Sequence, residues 1–282
     1  MPGAKIRTIA LPSGTHMPTF GLGTWRMGED AHRRADEVAA LRHGLARGFA
    51  LIDTAEMYGD GEAERIVAEA VGPRRANVFI VSKVLPQNSS KHGTIAACER
   101  SLKRLNTDRI YLYLLHWRGS PPLSQTVAAF AELKAAGKIL NWGVSNFDID
   151  EMRNLSTVDG ASACAANQVL YNLSRRGIEY DLMPFCRKRG IPLMAYSPIE
   201  QGRLLTHPGL REVAKRHGVT AAQVALAWLL RQETIVTIPK ATTLKHVDDN
   251  LTALTMRLTP EDLATLDRHF PPPTQAKPLD ML

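Results

Sequence analysis

Short apolar runs in this chain end, one after another, on a polar residue. Phe49-Ala50-Leu51-Ile52 leads into Asp53, Val78-Phe79-Ile80-Val81-Ser82 into Lys83, and Ile110-Tyr111-Leu112-Tyr113-Leu114-Leu115 into His116. Further runs close on Ser145, Gln168, Tyr196 and Lys240. Lys83 follows Asp53 by 30 residues, His116 follows Lys83 by 33, and Ser145 follows His116 by 29. A strand with its crossover helix takes about 30 residues, so one such residue falls at the C-terminal end of each strand. Between the runs lie segments of helical period. Val38, Leu41 and Leu45 step by three and four, as do Ile95, Cys98, Leu102 and Leu105, and Gly48, Gly72, Gly137 and Gly190 stop successive helices.

About eight strands alternate with helices along the 282 residues. That alternation predicts an α/β fold, a (β/α)8 TIM barrel in preference to an open sheet. Residues 1–282 read as a single domain, since no linker or second composition regime interrupts them. An N-terminal β-hairpin is expected around Ser13-Gly14, with an extra C-terminal helix over Pro260–Arg268 and an irregular tail containing Pro271-Pro272-Pro273. The glycines of Phe20-Gly21-Leu22-Gly23-Thr24-Trp25 mark a close approach of backbone to a ligand or a neighbouring strand.

Composition excludes several classes. Cys98, Cys164 and Cys186 are far apart and odd in number, which fits a reducing, cytoplasmic setting rather than a disulfide framework or a zinc site. No apolar run has the length of a signal peptide core or a membrane span, so no membrane partner is expected. The net charge of +7 comes from scattered pairs such as Arg33-Arg34 and Arg74-Arg75. A nucleic-acid surface would concentrate them and interleave aromatics. A positive surface favours instead an anionic cofactor or substrate.

In a barrel all strand C-termini surround one mouth, where active sites of this fold are built. Asp53, Lys83 and His116 therefore converge there, with Tyr58 five residues past Asp53 in a Gly-rich turn. Alone, each has an ordinary explanation: Asp53 as a turn cap, Lys83 as a solvated cation, His116 as a satisfied structural histidine, and Tyr58 as a loop tyrosine that carries no weight by itself. Four such explanations at one mouth are harder to sustain than a single proton-handling set. A metal-dependent hydrolase would need several His or carboxylate ligands. Only His116 of the nine histidines closes a strand, so no metal is expected.

The chain resembles the aldo-keto reductase superfamily. The resemblance rests on Gly21-Leu22-Gly23-Thr24-Trp25, Leu51-Ile52-Asp53-Thr54-Ala55 with Tyr58, Val81-Ser82-Lys83, Leu114-Leu115-His116-Trp117, Gly143-Val144-Ser145-Asn146-Phe147, Asn167-Gln168, Ala195-Tyr196-Ser197-Pro198 and Ile238-Pro239-Lys240. Thr54-Ala55-Glu56-Met57-Tyr58-Gly59 and Leu279-Asp280-Met281-Leu282 look like the bacterial branch that reduces methylglyoxal and similar small aldehydes. It implies reduction of aldehydes and ketones by NADPH, bound without a Rossmann fold, and a monomer.

The same resemblance implies roles for residues. Tyr58 is the general acid, Lys83 lowers its pKa, Asp53 holds Lys83, and His116 orients the carbonyl. Ser145, Asn146 and Gln168 hold the carboxamide and Tyr196 stacks on the nicotinamide. Gly23, Thr24, Ser197, Lys240, Thr242, His246 and Asn250 meet the rest of the cofactor, and Trp25, Met57 and Trp117 wall the substrate pocket.

One position departs from the pattern. Six residues past Lys240, where NADP-preferring members carry arginine, stands His246. An imidazole can stack but lacks the permanent charge and forked donors of a guanidinium. NADPH use with some acceptance of NADH is therefore expected, with Lys245 or Thr242 as candidates for compensation. The competing reading is a nicotinamide-binding sensor subunit on the same barrel. Against it stands the complete Asp53–Tyr58–Lys83–His116 set. Substrate choice is assigned to the short Arg118–Leu123 loop, the insertion after Tyr196 and the tail from Phe270, where Lys277 and Asp280 offer polar contacts.

Overall fold

The computed structural model describes residues 5–282. Strands β1 (Thr8–Ala10) and β2 (His16–Pro18) pair antiparallel across a turn in which Gly14 takes φ 82°. Eight further strands form one parallel sheet in chain order: β3 (Leu22–Gly23), β4 (Leu51–Asp53), β5 (Phe79–Val84), β6 (Ile110–Leu115), β7 (Ile139–Ser145), β8 (Cys164–Leu170), β9 (Leu193–Tyr196) and β10 (Ile235–Thr237). The sheet closes on itself. Gly21 N donates to Thr237 O at 3.0 Å, Thr237 N to Thr19 O at 2.9 Å, and Gly23 N to Pro239 O at 3.0 Å.

Outside the strands run α1 (Arg34–Ala46), α2 (Glu62–Val71), α3 (Lys91–Leu105), α4 (Leu123–Ala135), α5 (Ile149–Leu155) and α6 (Leu182–Lys188). Both α7 (Pro208–His217) and α8 (Ala221–Leu230) follow β9, α9 (Leu244–Thr252) follows β10, and α10 (Pro260–His269) is the extra helix. The expected (β/α)8 barrel, hairpin and C-terminal helix are all present. Helix α6 begins at Leu182, where the Asp181 carboxylate accepts from Leu182 N at 2.6 Å and caps it. Among the described residues no helix is long and apolar enough to cross a membrane.

Two apolar layers divide the side chains by strand parity. Leu51, Val81, Leu112, Leu114, Ala166, Met194, Val236 and Ile238 point into the barrel, whereas Ile52, Ile80, Tyr113 and Leu115 pack against the helices. Leu11 and Met17 of the hairpin join the interior set, and Ser13 Oγ donates to Asn141 Oδ1 of β7 at 2.5 Å, so the hairpin plugs the N-terminal end. Side chains two apart on a strand share a face. Asp53 stands two past Leu51, Lys83 two past Val81, His116 two past Leu114, Gln168 two past Ala166, Tyr196 two past Met194 and Lys240 two past Ile238. The polar residues are the next interior layer upward, where the apolar fill ends and the mouth begins.

The glycines near β3 serve strand contact. A Cβ on Gly23 would stand 2.6 Å from Ile238 O, so only glycine lets the first and last barrel strands meet there.

Candidate active site

Lys83 lies wholly buried in the interior layer, although β5 runs one residue further, to Val84. All three ammonium protons are used: Nζ donates to Asp53 Oδ2 at 2.8 Å, to Thr54 O at 2.9 Å and to the Tyr58 hydroxyl at 3.2 Å. Burial pushes the Lys83 pKa down, but Asp53 and Tyr58 outweigh it and the net shift is upward. Lys83 stays charged at neutral pH. The other Asp53 oxygen accepts from Gln168 Nε2, 115 positions along the chain from Asp53, at 2.8 Å, so the carboxylate joins Lys83 to Gln168.

Tyr58 sits in the loop after β4, and two contacts fix that loop. Gly59, at φ 56°, turns the chain where a Cβ would lie 2.8 Å from Met27 O. Two residues before Tyr58, Glu56 Oε1 accepts from Leu85 N at 2.8 Å and Asn88 Nδ2 at 2.9 Å, tying the loop to the chain just past Lys83. In the sequence Glu56 is one residue of the Thr54–Gly59 stretch with no role of its own; its partners are visible only in the fold.

The electrostatics of Tyr58 correct one expectation. Burial raises its pKa, Lys83 lowers it and Asp53 raises it, and the net displacement is above the ordinary phenol value. Lys83 acts in the expected direction, yet desolvation of the phenolate outweighs it. His116 faces Tyr58 edge-on at 5.9 Å between ring centroids. Burial and then the Lys83 charge hold its pKa well below the ordinary imidazole value. Its Nδ1 is sealed without a hydrogen-bond partner, which leaves the other ring nitrogen for the cavity that His116 lines.

A cavity of about 590 Å³ opens over this set. Trp25, Met57 and Trp117 wall it beside Tyr58 and His116. Met57 is 39% exposed, so it belongs to the wall and not to the core. Along the cavity stand Gly23, Ser145, Asn146, Gln168, Tyr196, Ser197, Lys240, Thr242 and His246. Thr24 and Asn250, also expected at the cofactor, are not in the wall of this cavity. Thr24 is fully buried with its hydroxyl donating to Asp53 O at 2.9 Å, and Asn250 is buried in α9 off the cavity wall. Lys245 is also off the wall, paired with Asp249 at 2.6 Å on the surface.

Much polar capacity at the inner end is spent within the protein. The Tyr196 hydroxyl donates to Asn146 Oδ1 at 2.9 Å, and Asn146 Nδ2 donates to His116 O and Ser145 Oγ. Ser145 Oγ donates to Gln168 O at 2.9 Å. Gln168 keeps its side-chain oxygen free. At the other end burial lowers the Lys240 pKa, and the charges of Arg33 and Arg26 add to that against the opposing pull of Glu37. Arg26, at φ 62° with its guanidinium 4.5 Å over the Trp25 ring, also lines the cavity. Its position straight after the Gly-Thr-Trp motif was the signal available in the sequence.

Residues 19–270 match the model of the Aldo/keto reductase family. The chain belongs to this family. Among curated proteins it is 49% identical over 281 residues to methylglyoxal reductase YeaE of Escherichia coli (strain K12), covering 98% of this chain and 99% of that one. It is 35% identical over 267 residues to glyoxal reductase of Bacillus subtilis (strain 168), covering 95% and 94%. Among solved structures, an aldo-keto reductase from Klebsiella pneumoniae in complex with NADPH matches this aldo/keto reductase with a TM-score of 0.95 at 47% identity, covering 98% and 99%.

Among the described residues no three His, Cys, Asp or Glu side chains come together as a metal site requires.

Proposed function

We propose that this chain reduces small aldehydes and dicarbonyls, methylglyoxal among them, to alcohols with NADPH. The observation that carries the reading is the Tyr58 hydroxyl, bonded to the buried Lys83–Asp53 pair and standing beside a neutral His116 at the cavity. The likeness to methylglyoxal and glyoxal reductases, and to a structure holding NADPH, supports it.

The cavity fits the dinucleotide. Its inner end offers the free Gln168 oxygen, the remaining lone pairs of Ser145 and Asn146 and the Tyr196 ring; its outer end offers Lys240, Thr242, His246 and Arg26. NADPH supplies the hydride that reaches the carbonyl carbon. His116, neutral at physiological pH, donates an N–H to the carbonyl oxygen and aims it at Tyr58. Tyr58 gives its proton to that oxygen, and the phenolate left behind faces the Lys83 ammonium. Asp53 keeps Lys83 charged and, through Gln168, ties it to the groups that hold the carboxamide. The chain works as one domain and a monomer in the cytoplasm, with which the three buried free cysteines are compatible.

Oxidation of NADPH on addition of aldehydes, ketones and sugars tests the reading. Carbonyl-dependent turnover is expected with methylglyoxal. Tight NADPH binding without turnover of any carbonyl would instead favour the sensor reading.

The charge states set the pH dependence. His116 is already neutral below the ordinary histidine range and Tyr58 stays protonated above the ordinary tyrosine range. We expect kcat/KM for reduction to be flat between about pH 6 and 9. The reverse oxidation needs the phenolate, so it rises throughout that interval. A histidine step near pH ~6.5 in the reduction profile would show that His116 titrates.

Cofactor preference follows from His246, which lines the cavity where a guanidinium would bring permanent charge. The ratio of kcat/KM for NADPH over NADH is expected to stay below roughly 10³, about 4 kcal/mol. A larger measured ratio would mean that Arg26 or Lys240 reads the phosphate without help from His246.

A further inference from the structure

The cavity has two walls from outside the barrel strands. One is the loop after β9, residues 197–202, and the other is the tail, which contributes Met281 and Leu282. The loop is strained: Ser197, Glu200 and Gln201 take φ of 46°, 50° and 55°. Non-glycine residues hold that conformation only when their surroundings over-determine it. Here the determinant is Glu200, whose carboxylate is 6% exposed. Its Oε2 accepts from Asn172 Nδ2 at 2.7 Å, and its Oε1 accepts from Arg175 Nε at 3.1 Å and Nη2 at 3.0 Å. Asn172 Nδ2 also donates to Ser197 O at 2.9 Å. Arg203 adds a longer contact, its Nη2 standing 3.5 Å from Glu200 Oε1 and its Nε donating to Glu200 O at 3.3 Å.

The third nitrogen of the Arg175 fork reaches the tail, Nη1 donating to Asp280 Oδ1 at 3.1 Å. Asp280 immediately precedes Met281 and Leu282, which are half exposed and line the cavity. The tail from Ala276 to Asp280 otherwise borders a second, smaller cavity lined by residues of α5 and α6, with Leu279 packed against the core. One guanidinium therefore bridges both walls. The planar fork serves both carboxylates at once, Nε and Nη2 on Glu200 and Nη1 on Asp280.

We propose that Arg175 is a specificity-determining positioning residue: by joining Glu200 to Asp280 it holds Met281 and Leu282 over the carbonyl end of the cavity and confines the site to small substrates. This rests on the proposed carbonyl reduction, and the tail is where its size selection resides. The expectation that Lys277 and Asp280 meet polar substrates is replaced. Asp280 is spent on Arg175, Lys277 borders the second cavity, and the tail turns apolar side chains to the site.

The test compares wild type with Arg175→Met, which releases both walls, Asp280→Asn, which weakens only the tail contact, and Arg175→Lys. The first readout is the 13C-methyl NMR signal of Met281, assigned by its loss in Met281→Leu. In Arg175→Met and Asp280→Asn it is expected to narrow and move to the position of a free methionine. The second is kcat/KM for phenylglyoxal over that for methylglyoxal. This ratio is expected to rise about tenfold in both variants, the scale of a changed apolar pocket contact, through KM with kcat for methylglyoxal unchanged. Arg175→Lys, keeping charge without the fork, is expected to recover less than half of each effect.

An unmoved Met281 signal in both variants overturns the clamp. A moved signal with an unchanged ratio overturns its role in selection. Wild-type protein without turnover would overturn the proposed reaction and its selectivity, while the methyl signal would still decide whether Arg175 holds the tail.

Discussion

Tyr58→Phe is expected to lower kcat for carbonyl reduction by about 10²–10⁴, the span for loss of a positioned general acid, with NADPH affinity unchanged. The substitution removes one oxygen whose protein partner is Lys83 Nζ at 3.2 Å. Lys83 keeps Asp53 and Thr54 O, so the ammonium is not stranded. Stability should therefore fall by no more than about 1.5 kcal/mol, the usual net worth of a hydrogen bond. His116 is a poor substitute acid, because the single N–H of a neutral imidazole is far less acidic than an imidazolium N–H. Single-turnover kinetics with NADPH preloaded separate the step from binding. An unchanged rate of hydride transfer would place the acid on another group.

The barrel and the polar layer at its mouth were legible in the sequence because both follow local periods. A strand of period two fixes which residues face inward, so Leu51 and Asp53, or Leu114 and His116, share a fate before any contact is known. The recurrence at about 30 residues then brings them to one mouth. Legibility ends where a role depends on contacts between distant loops. The Gln168–Asp53 bond, the Glu56 anchor and the Arg175 bridge each join segments whose meeting no period announces. Thr24 is a further case: its hydroxyl donates to Asp53 O, a partner 29 positions away that no period announces. The Tyr58 pKa was misjudged for a related reason. A sequence displays the neighbouring charge of Lys83 but not the depth of burial that outweighs it.

Removing Lys83 should separate stability from catalysis. Lys83→Met leaves the Asp53 carboxylate, 3% exposed, with Gln168 as its remaining side-chain donor. An uncompensated buried charge costs about 3–5 kcal/mol, so the urea midpoint should drop sharply and reduction should be lost. Asp53→Asn strands the ammonium instead and should destabilise to a similar degree. Combining Asp53→Asn with Lys83→Met removes both charges together. Because a buried pair contributes little net stability against an apolar replacement, the double variant should regain most of the loss, a strong non-additivity between contacting residues. Activity should not return, since the phenolate of Tyr58 then has no cation beside it.

The pH dependence carries the same logic. Lys83 has its folded pKa raised above the ordinary lysine value, so its contribution is complete at neutral pH and is lost only as pH climbs through that raised value. Wild-type stability should thus show no pH dependence arising from Lys83 between about pH 6 and 9. If the double variant instead proves as unstable as Lys83→Met, the pair is not mutually compensating, and the charge on Lys83 would have to be held by Thr54 O and Tyr58 without Asp53.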